Sequence, residues 1–278
     1  SSEIEDAQVT LAVGGKAWSP ENYDNTYLGP ITLREALEQS RNTATVRLSQ
    51  EIGIDSVMAM ARKIGVTSPL KPVPSLALGS MEVSPLEMGI AYSTLAGGGV
   101  LHPAQFLSGV IDPSALPIDR EETGEGAGQR VVSEEAAFLV TYLMKGVIDA
   151  GTGNGVRRLG FDAPAAGKTG TTSHLRDAWF VGFTPNLVCV VWVGFDKNQG
   201  GYLTGASSAL PIWTAFMKEA SFSEPFDFQP PSGVVFRKIN ENKVVCEKGG
   251  LEEAFISGTE PTVRCENGGL TWLKRLFF

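Results

Sequence analysis

The sequence Gly167-Lys168-Thr169-Gly170-Thr171-Thr172 stands directly before two apolar, β-prone runs, residues 177–183 and 187–195. Both runs are rich in Val, Phe and Trp, and Thr184-Pro185-Asn186 separates them. This pattern predicts two antiparallel strands joined by a short turn. The Lys-Thr-Gly segment then forms the preceding strand, at the edge of the same sheet.

The side chains of this edge strand predict a binding site. Gly170 leaves room for a second backbone to lie alongside the strand. Lys168 adds a positive charge, and Thr169 and Thr171 add hydroxyl donors. An extended peptide that ends in a carboxylate suits this combination. Because Lys-Thr-Gly is also common in surface turns, the rest of the chain has to support the interpretation.

The composition of the 278-residue chain excludes several classes of protein. Its formal net charge is −8 and no basic stripe is visible, which argues against a nucleic-acid partner. No run of about 18 apolar residues predicts a membrane-spanning helix. The two histidines, His102 and His174, lack ligand spacing to any cysteine, so neither a metal site nor another cofactor is predicted.

Three cysteines are present. Cys189 lies in an apolar run and is predicted to be a small hydrophobic residue of the core. Cys246 and Cys265 flank a glycine-rich loop, and a disulfide can join them if the protein is exported.

A second polar motif follows the first predicted helix. Thr32 and Glu35 have the spacing of a capping box, which predicts that a helix begins there. Ser40-Arg41-Asn42 interrupts the helical pattern, which then continues from Thr43 to Ile52. A Ser-x-Asn at such a junction can present a hydroxyl and an amide to one cleft, although both residue types are also ordinary helix caps.

Further helices are predicted to begin at Ser84, Ser133 and Ser207. Together with the hairpin they predict an α/β fold of the α+β type, in which helices flank an antiparallel sheet. The composition changes near Pro230-Pro231. We therefore expect one domain at residues 1–222 and a Pro/Gly-rich appendage at residues 223–278.

These motifs, in this order, resemble class A penicillin-binding proteins. The similar segments cover nearly the whole chain and are residues 18–23, 29–42, 74–79, 150–153, 167–171 and 253–262. Members of this family are bifunctional cell-wall enzymes: an upstream glycosyltransferase domain extends glycan strands, and a transpeptidase domain cross-links their stem peptides. The resemblance implies the penicillin-binding protein/serine β-lactamase-like fold, incomplete at its N-terminus.

The resemblance also implies acyl transfer through a serine ester. It assigns catalytic roles to Ser40, which relays a proton to the leaving amine, and to Asn42, which hydrogen-bonds the substrate backbone. Lys168 supplies positive potential and orients Ser40.

Substrate binding is implied for Thr169, Gly170 and Thr171. The two threonines bind the terminal carboxylate, and the Thr171 N–H is one of two oxyanion donors. The implied partners are peptidoglycan stem peptides, β-lactam inhibitors and the upstream glycosyltransferase domain. The implied location is the extracytoplasmic face of the bacterial inner membrane, in the periplasm, with an upstream anchor.

The chain departs from the family pattern in one motif. In the family, a Ser-x-x-Lys motif carries the nucleophile and the base, and it precedes Ser-x-Asn. Here Ser68–Lys71 is the only Ser-x-x-Lys, it follows Ser40, and Pro72 disfavours helix at Lys71. We expect residues 68–71 to form a loop and the family's nucleophile to lie upstream of residue 1, so that this chain alone is inactive.

Three functions stay open for the complete protein: a D,D-transpeptidase, a D,D-carboxypeptidase or β-lactamase-like hydrolase, and a non-catalytic peptidoglycan-binding module. The class A-like tail and the absence of an obvious deacylating carboxylate motif favour the transpeptidase. If the family assignment holds, the Ser40 hydroxyl and the Lys168 ammonium lie within hydrogen-bond reach, directly or through one water.

Overall fold

The computed structural model describes residues 2–107, 110–114, 117–119, 128–172, 175–195, 203–220, 226–240, 245 and 250–263. Cys246, Cys265 and His174 lie outside the described residues, so the disulfide expected between the two cysteines stays a prediction.

The helices within this part of the chain are α1 (Leu33–Glu38), α2 (Asn42–Ile52), α3 (Ile54–Lys63), α4 (Pro85–Ala96), α5 (Glu134–Asp149), α6 (Gly155–Arg158) and α7 (Leu210–Ala220). A 3₁₀ helix covers Pro74–Leu78, and a π-helical turn covers Gly205–Ala209. The strands are β1 (Glu3–Asp6), β2 (Leu11–Val13), β3 (Lys16–Trp18), β4 (Gly29–Thr32), β5 (Val100–Leu101), β6 (Val110–Ile111), β7 (Pro117–Asp119), β8 (Gln129–Arg130), β9 (Ala166–Thr171), β10 (Ala178–Phe183), β11 (Val188–Val193), β12 (Val234–Ile239) and β13 (Leu251–Ile256).

The sheet that carries the Lys-Thr-Gly segment has the strand order β11-β10-β9, with both pairs antiparallel. Trp179 of β10 is aligned with Gly170 of β9 and with Trp192 of β11. Within the described residues β9 pairs only with β10. The predicted hairpin and the predicted edge strand are therefore both confirmed.

Helices pack on both faces of this sheet. Side chains alternate between the faces along a strand, and Phe180 and Phe183 of β10 accordingly join different core clusters. Phe180 packs against Trp213 of α7, with ring centroids 5.1 Å apart. Phe183 packs against Met144 of α5 and Tyr92 of α4. This arrangement of helices around an antiparallel sheet is the predicted α/β fold class.

Cys189 belongs to the first of these clusters. It is partly buried, and it packs against the core that surrounds Trp213. Burial raises the pKa of the Cys189 thiol to about 11, since a thiolate is poorly solvated there. The residue therefore behaves as the small hydrophobic group that the sequence predicts.

The segment Ser68–Lys71 is a loop, as predicted. The hydroxyl of Ser68 donates to the Glu87 carboxylate at 2.7 Å, and the Ser68 N–H donates to the same carboxylate at 2.6 Å. Glu87 also closes the capping box that begins α4 at Ser84. Ser68 thus helps to anchor a loop to the start of a helix.

The chain divides into two compact units, one from Ser2 to Gln229 and one that begins at Pro230. The second unit contains the antiparallel pair β12–β13. Within it, Arg237 forms an ion pair with Glu260 at 3.0 Å. None of the described helices has both the length and the apolar character that crossing a membrane requires.

Candidate active site

The ammonium of Lys168 donates a hydrogen bond to the hydroxyl of Ser40, with Nζ and Oγ 2.8 Å apart. The two residues are 128 positions apart in the sequence, so the fold brings the two motifs together. Lys168 also donates to the Thr169 carbonyl oxygen at 3.0 Å. The expected contact between Ser40 and Lys168 is confirmed, and it is direct.

Burial lowers the pKa of Lys168 to about 8, because removing the ammonium from water disfavours its charged form. At neutral pH the charged form still predominates. The site therefore presents a positive potential beside a hydroxyl, and it gains a neutral amine as the pH rises past 8.

Two elements determine where these side chains meet. Lys168 lies on the edge strand β9, and α5 packs along that strand. Helix α1 also packs against α5, and at its N-cap, Thr32, both hydrogen bonds of the predicted capping box with Glu35 are present. Since α1 ends at Glu38, Ser40 lies two residues beyond the helix end, where its hydroxyl meets Lys168 of the edge strand.

Ser40 itself has an unusual backbone conformation. Its φ of +54° lies in the left-handed region, which is uncommon for residues other than glycine. The Ser40 N–H donates to the Leu37 carbonyl at 3.2 Å, and the next N–H, that of Arg41, donates to the Ala36 carbonyl at 2.9 Å. These bonds turn the chain sharply between α1 and α2 and direct the hydroxyl toward β9.

A buried ion pair supports this turn. Arg41 Nε donates to Asp6 Oδ2 at 2.8 Å, and both side chains are almost fully buried. Asp6 also accepts hydrogen bonds from Asn22 Nδ2 at 2.8 Å, from the Leu28 N–H at 3.0 Å and from the Thr43 hydroxyl. Burial alone would raise the pKa of Asp6, but these hydrogen bonds outweigh it and hold the pKa below its usual value.

Asn42 is the first residue of α2, and its side chain has a partner that the sequence did not predict. Its amide nitrogen donates to the Glu21 carbonyl oxygen at 2.7 Å. Among the described residues no hydrogen bond joins Asn42 to Ser40 or Lys168. An amide has two N–H donors and an oxygen acceptor, so groups remain for a substrate backbone, and the predicted role of Asn42 stays a prediction.

The two threonine hydroxyls of β9 also contact residues from elsewhere in the chain. Thr169 Oγ1 lies 2.9 Å from the hydroxyl of Thr152, in the turn between α5 and α6. Thr171 Oγ1 accepts a hydrogen bond from the Gly205 N–H at 3.0 Å. Because a hydroxyl combines one donor with two acceptor sites, Thr171 can still donate its proton to a carboxylate.

Gly170 has a close backbone neighbour, but that neighbour belongs to the chain itself. A Cβ added to Gly205 would lie 2.6 Å from the Gly170 carbonyl oxygen and would overlap the Trp179 carbonyl oxygen. Only glycine therefore lets the π-helical turn pack on β9 and β10 at this point. The outer edge of β9, which no described strand covers, remains the place for an extended ligand.

The site contains no evident metal centre. Within the part of the chain that the structure describes, no group of three or more His, Cys, Asp or Glu side chains is arranged to hold a metal ion. Its chemistry rests on one ammonium, several hydroxyls and the backbone groups of a strand edge, which can bind a carboxylate and move a proton between oxygen and nitrogen.

Comparison with known proteins identifies the family. Residues 3–218 match the family described as penicillin binding protein transpeptidase domain. Penicillin-binding protein 1B of Vibrio cholerae is 36% identical over 284 residues, which cover 100% of this chain and 36% of that relative. This chain thus spans about a third of the length of that curated relative.

Two solved structures are also similar. Penicillin-binding protein 1A from Haemophilus influenzae matches with a TM-score of 0.84 and 28% identity, over 96% of this chain and 46% of that one. PonA1 from Mycobacterium tuberculosis, in complex with penicillin V, matches with a TM-score of 0.68 and 25% identity, over 82% of this chain and 65% of that one. The chain belongs to the transpeptidase domain family of the class A penicillin-binding proteins.

Proposed function

We propose that this chain is most of a peptidoglycan D,D-transpeptidase domain, which cross-links stem peptides through a serine acyl-enzyme. The observation that carries the proposal is the 2.8 Å hydrogen bond between Lys168 and Ser40. It joins the Ser-x-Asn and Lys-Thr-Gly motifs beside an open strand edge. A hydroxyl and an ammonium at this distance can pass a proton to or from a reacting group.

On this proposal, the reaction has two acyl-transfer steps. A serine upstream of residue 1 gives its proton to the lysine of its Ser-x-x-Lys motif and attacks the penultimate D-Ala carbonyl of a pentapeptide. An ester forms, and the bond to the terminal D-Ala breaks. Ser40 delivers a proton to the leaving amine, and Lys168 orients Ser40 and replaces the proton. An amine from a neighbouring stem then attacks the ester: the amide bond of the cross-link forms and the ester bond breaks. The proton lost by the amine returns through Ser40 to Lys168, and the lysine of the Ser-x-x-Lys motif returns the proton of the released serine.

Substrate binding on this proposal uses the edge of β9. The terminal carboxylate accepts hydrogen bonds from the hydroxyls of Thr169 and Thr171 near the positive charge of Lys168. The substrate backbone lies along the strand at Gly170, and Asn42 donates to one of its carbonyl oxygens. The Thr171 N–H supports the oxyanion, a role in which losing one donor costs roughly 10²–10³ in rate.

The proposal includes the partners and the location of the complete protein. An upstream glycosyltransferase domain and a membrane anchor would place the site on the extracytoplasmic face of the inner membrane, where stem peptides are available. β-Lactams would acylate the same serine. The family's name and the PonA1 complex with penicillin V support that inhibitor class.

The test uses the complete coding sequence that contains this chain. We expect the purified protein to be labelled by a fluorescent penicillin and to release D-Ala while forming cross-linked peptides. Ser40→Ala and Lys168→Ala should each slow acylation by about 10²-fold or more, as expected for a lost proton-transfer group. Ser80→Ala and Lys63→Ala, which change the same residue types at exposed positions, should not slow it.

The same experiment separates the alternatives. Continuous turnover of penicillin, with no cross-linked product, would favour a hydrolase of the β-lactamase or D,D-carboxypeptidase kind. Retention on peptidoglycan without labelling and without D-Ala release would favour a non-catalytic binding module. Either result would overturn the transpeptidase proposal.

A further inference from the structure

Thr152 contacts both segments that supply the Ser40–Lys168 pair. It lies in the turn between α5 and α6, and its N–H donates to the Glu38 carbonyl oxygen at 2.9 Å. Its hydroxyl oxygen lies 2.9 Å from that of Thr169. Glu38 stands two residues before Ser40, and Thr169 directly follows Lys168.

The turn that contains Thr152 packs closely against Glu38. Glu38 is the last residue of α1, so its carbonyl lacks a partner inside the helix, and the Thr152 N–H supplies one. A Cβ on Gly151 would overlap the Glu38 carbonyl oxygen, and a Cβ on Gly146 would overlap the Glu38 carboxylate. The turn around Thr152 is therefore packed directly against the helix end that leads into Ser40.

The contact with Thr169 continues to the ammonium. Thr169 Oγ1 lies 3.5 Å from Lys168 Nζ, so the hydroxyls of Thr152 and Thr169 and the ammonium of Lys168 form a chain. Lys168 in turn bonds Ser40. The contacts thus form a closed ring. It runs from Thr152 to the segment that ends in Ser40, from Ser40 to Lys168, and from Lys168 through Thr169 back to Thr152.

We propose that Thr152 is a positioning residue of this site: it holds Ser40 and Lys168 in register by bonding to a neighbour of each. Only the expected effect of Thr152 on substrate binding rests on the proposed function. The positioning of Ser40 and Lys168 by Thr152 is a property of the ligand-free chain. Losing the hydroxyl should free Thr169 to turn its lone pairs to the ammonium.

The first test uses the ligand-free 278-residue chain. Thr152→Val keeps the side-chain shape and the backbone N–H but removes the hydroxyl, and Thr152→Ser restores it. We expect Thr152→Val to move the NMR titration midpoint of Lys168 upward by about 0.5 pH unit, because a hydroxyl that accepts from the ammonium favours the charged form. Thr152→Ser should restore the original midpoint.

Thr94→Val is the matched control. Thr94 is a buried threonine of α4 whose hydroxyl donates to the Ile90 carbonyl at 3.0 Å, away from the site. It should cost similar stability and leave the Lys168 midpoint unchanged. The inference would be overturned if Thr152→Val left the midpoint within about 0.1 pH unit of wild type, or if Thr94→Val moved it equally.

The second test measures binding of an acetylated tripeptide that ends in D-Ala-D-Ala. We expect Thr152→Val to weaken its binding about five- to tenfold and Thr152→Ser to restore it, since a displaced Thr169 binds the carboxylate less well. If the wild-type chain bound no such peptide, the proposed function would fail, and the Lys168 titration would still decide the role of Thr152. Equal peptide binding by wild type and Thr152→Val would count against the inference alone.

Discussion

Arg41 and Asp6 form a buried ion pair, with Nε and Oδ2 2.8 Å apart, directly next to the candidate catalytic turn. Arg41 is the residue between Ser40 and Asn42, so the pair fixes the backbone of both. Ser40 has a positive φ, which a serine adopts only where its surroundings enforce it. We infer that the ion pair and its hydrogen bonds supply that enforcement.

The first prediction concerns Asp6→Asn. The substitution keeps the shape of the side chain but leaves Arg41 without its most buried counter-charge. We expect the free energy of unfolding at pH 7 to fall by about 3–5 kcal/mol, the usual cost of breaking a buried pair from one side. Urea denaturation measures it. Asp24→Asn removes the half-exposed partner of the same arginine and should cost much less.

The pH dependence of stability gives a second readout for Asp6. Its folded pKa lies below its unfolded value, so its contribution to stability is complete above the unfolded pKa, near 4, and is lost as the pH falls through the folded pKa. Below about pH 4 the free energy of unfolding of Asp6→Asn should therefore fall less steeply with decreasing pH than that of the wild type. A variant that kept the wild-type acid dependence would show that Asp6 is not the group involved.

The second prediction concerns Glu87, which anchors Ser68. Its carboxylate accepts hydrogen bonds from the N–H and hydroxyl groups of Thr67, Ser68 and Ser84, and the N–H of Ser84 is the main cause of a lowered pKa. Glu87→Gln replaces one acceptor oxygen by a donor. We expect a loss of about 2 kcal/mol in thermal or urea unfolding.

Glu51→Gln, an exposed substitution in the last turn of α2, is the control and should change stability little. The stability that Glu87 supplies should also be lost as the pH falls below about 4, because its folded pKa is depressed. If Glu87→Gln unfolded like wild type, Ser68 would be free for another role, and its assignment to a structural loop would be wrong.

Local sequence patterns predict much of this fold. The capping boxes at Thr32 and Ser84 are each formed by residues three positions apart, so the sequence itself contains both partners. The hairpin of β10 and β11 follows from two β-prone runs and a turn between them. The edge position of Lys168 then follows from the adjoining strand.

The site's supporting contacts could not be predicted in this way. Arg41 and Asp6 are 35 residues apart, and the sequence near Arg41 does not identify which carboxylate neutralises it. The hydroxyl of Thr169 contacts Thr152, which lies in the turn between α5 and α6. Gly170 packs against Gly205, which lies in a segment beyond the hairpin. These partners depend on how α1, α5 and the sheet pack. The similarity of residues 150–153 to the family indicates the place but not the contact.

The third prediction concerns Lys168→Met. The folded pKa of Lys168, about 8, lies below its unfolded value of 10.5, so the charged form costs stability at neutral pH. That cost is complete below about pH 8 and disappears as the pH rises through the unfolded pKa of 10.5. Lys168→Met should therefore stabilise the 278-residue chain by about 1–2 kcal/mol at pH 7, after allowing for the lost hydrogen bonds.

The gain should shrink as the pH rises above about 8 and disappear above about pH 11, where the wild-type lysine is neutral in both states. Urea unfolding at pH 7 and pH 11 measures both parts. Lys63→Met, at an exposed position in the last turn of α3, controls for added apolar surface. If Lys168→Met lowered stability at both pH values, the hydrogen bond to Ser40 would outweigh burial, and the lysine would be a structural group.

The fourth prediction concerns covalent chemistry of the 278-residue chain alone. We expect no adduct with a labelled penicillin at pH 7, as measured by intact-mass spectrometry. Lys71 cannot activate Ser68, because the two lie in a loop and the Ser68 hydroxyl donates to Glu87 at 2.7 Å. Ser40 accepts a hydrogen bond from an ammonium, which withdraws charge from its oxygen, and an unactivated serine is a weak nucleophile.

On the proposed function, the protein encoded by the complete coding sequence should be labelled under the same conditions, on a serine of a Ser-x-x-Lys motif. If the 278-residue chain formed an adduct, peptide mapping would identify the serine, and Ser40→Ala and Ser68→Ala would confirm it. An adduct on Ser40 that grew above pH 8 would make the neutral amine of Lys168 its base. In that case Ser40 would be a nucleophile rather than the proton relay proposed for it, and the order of steps in the proposed reaction would have to be rewritten.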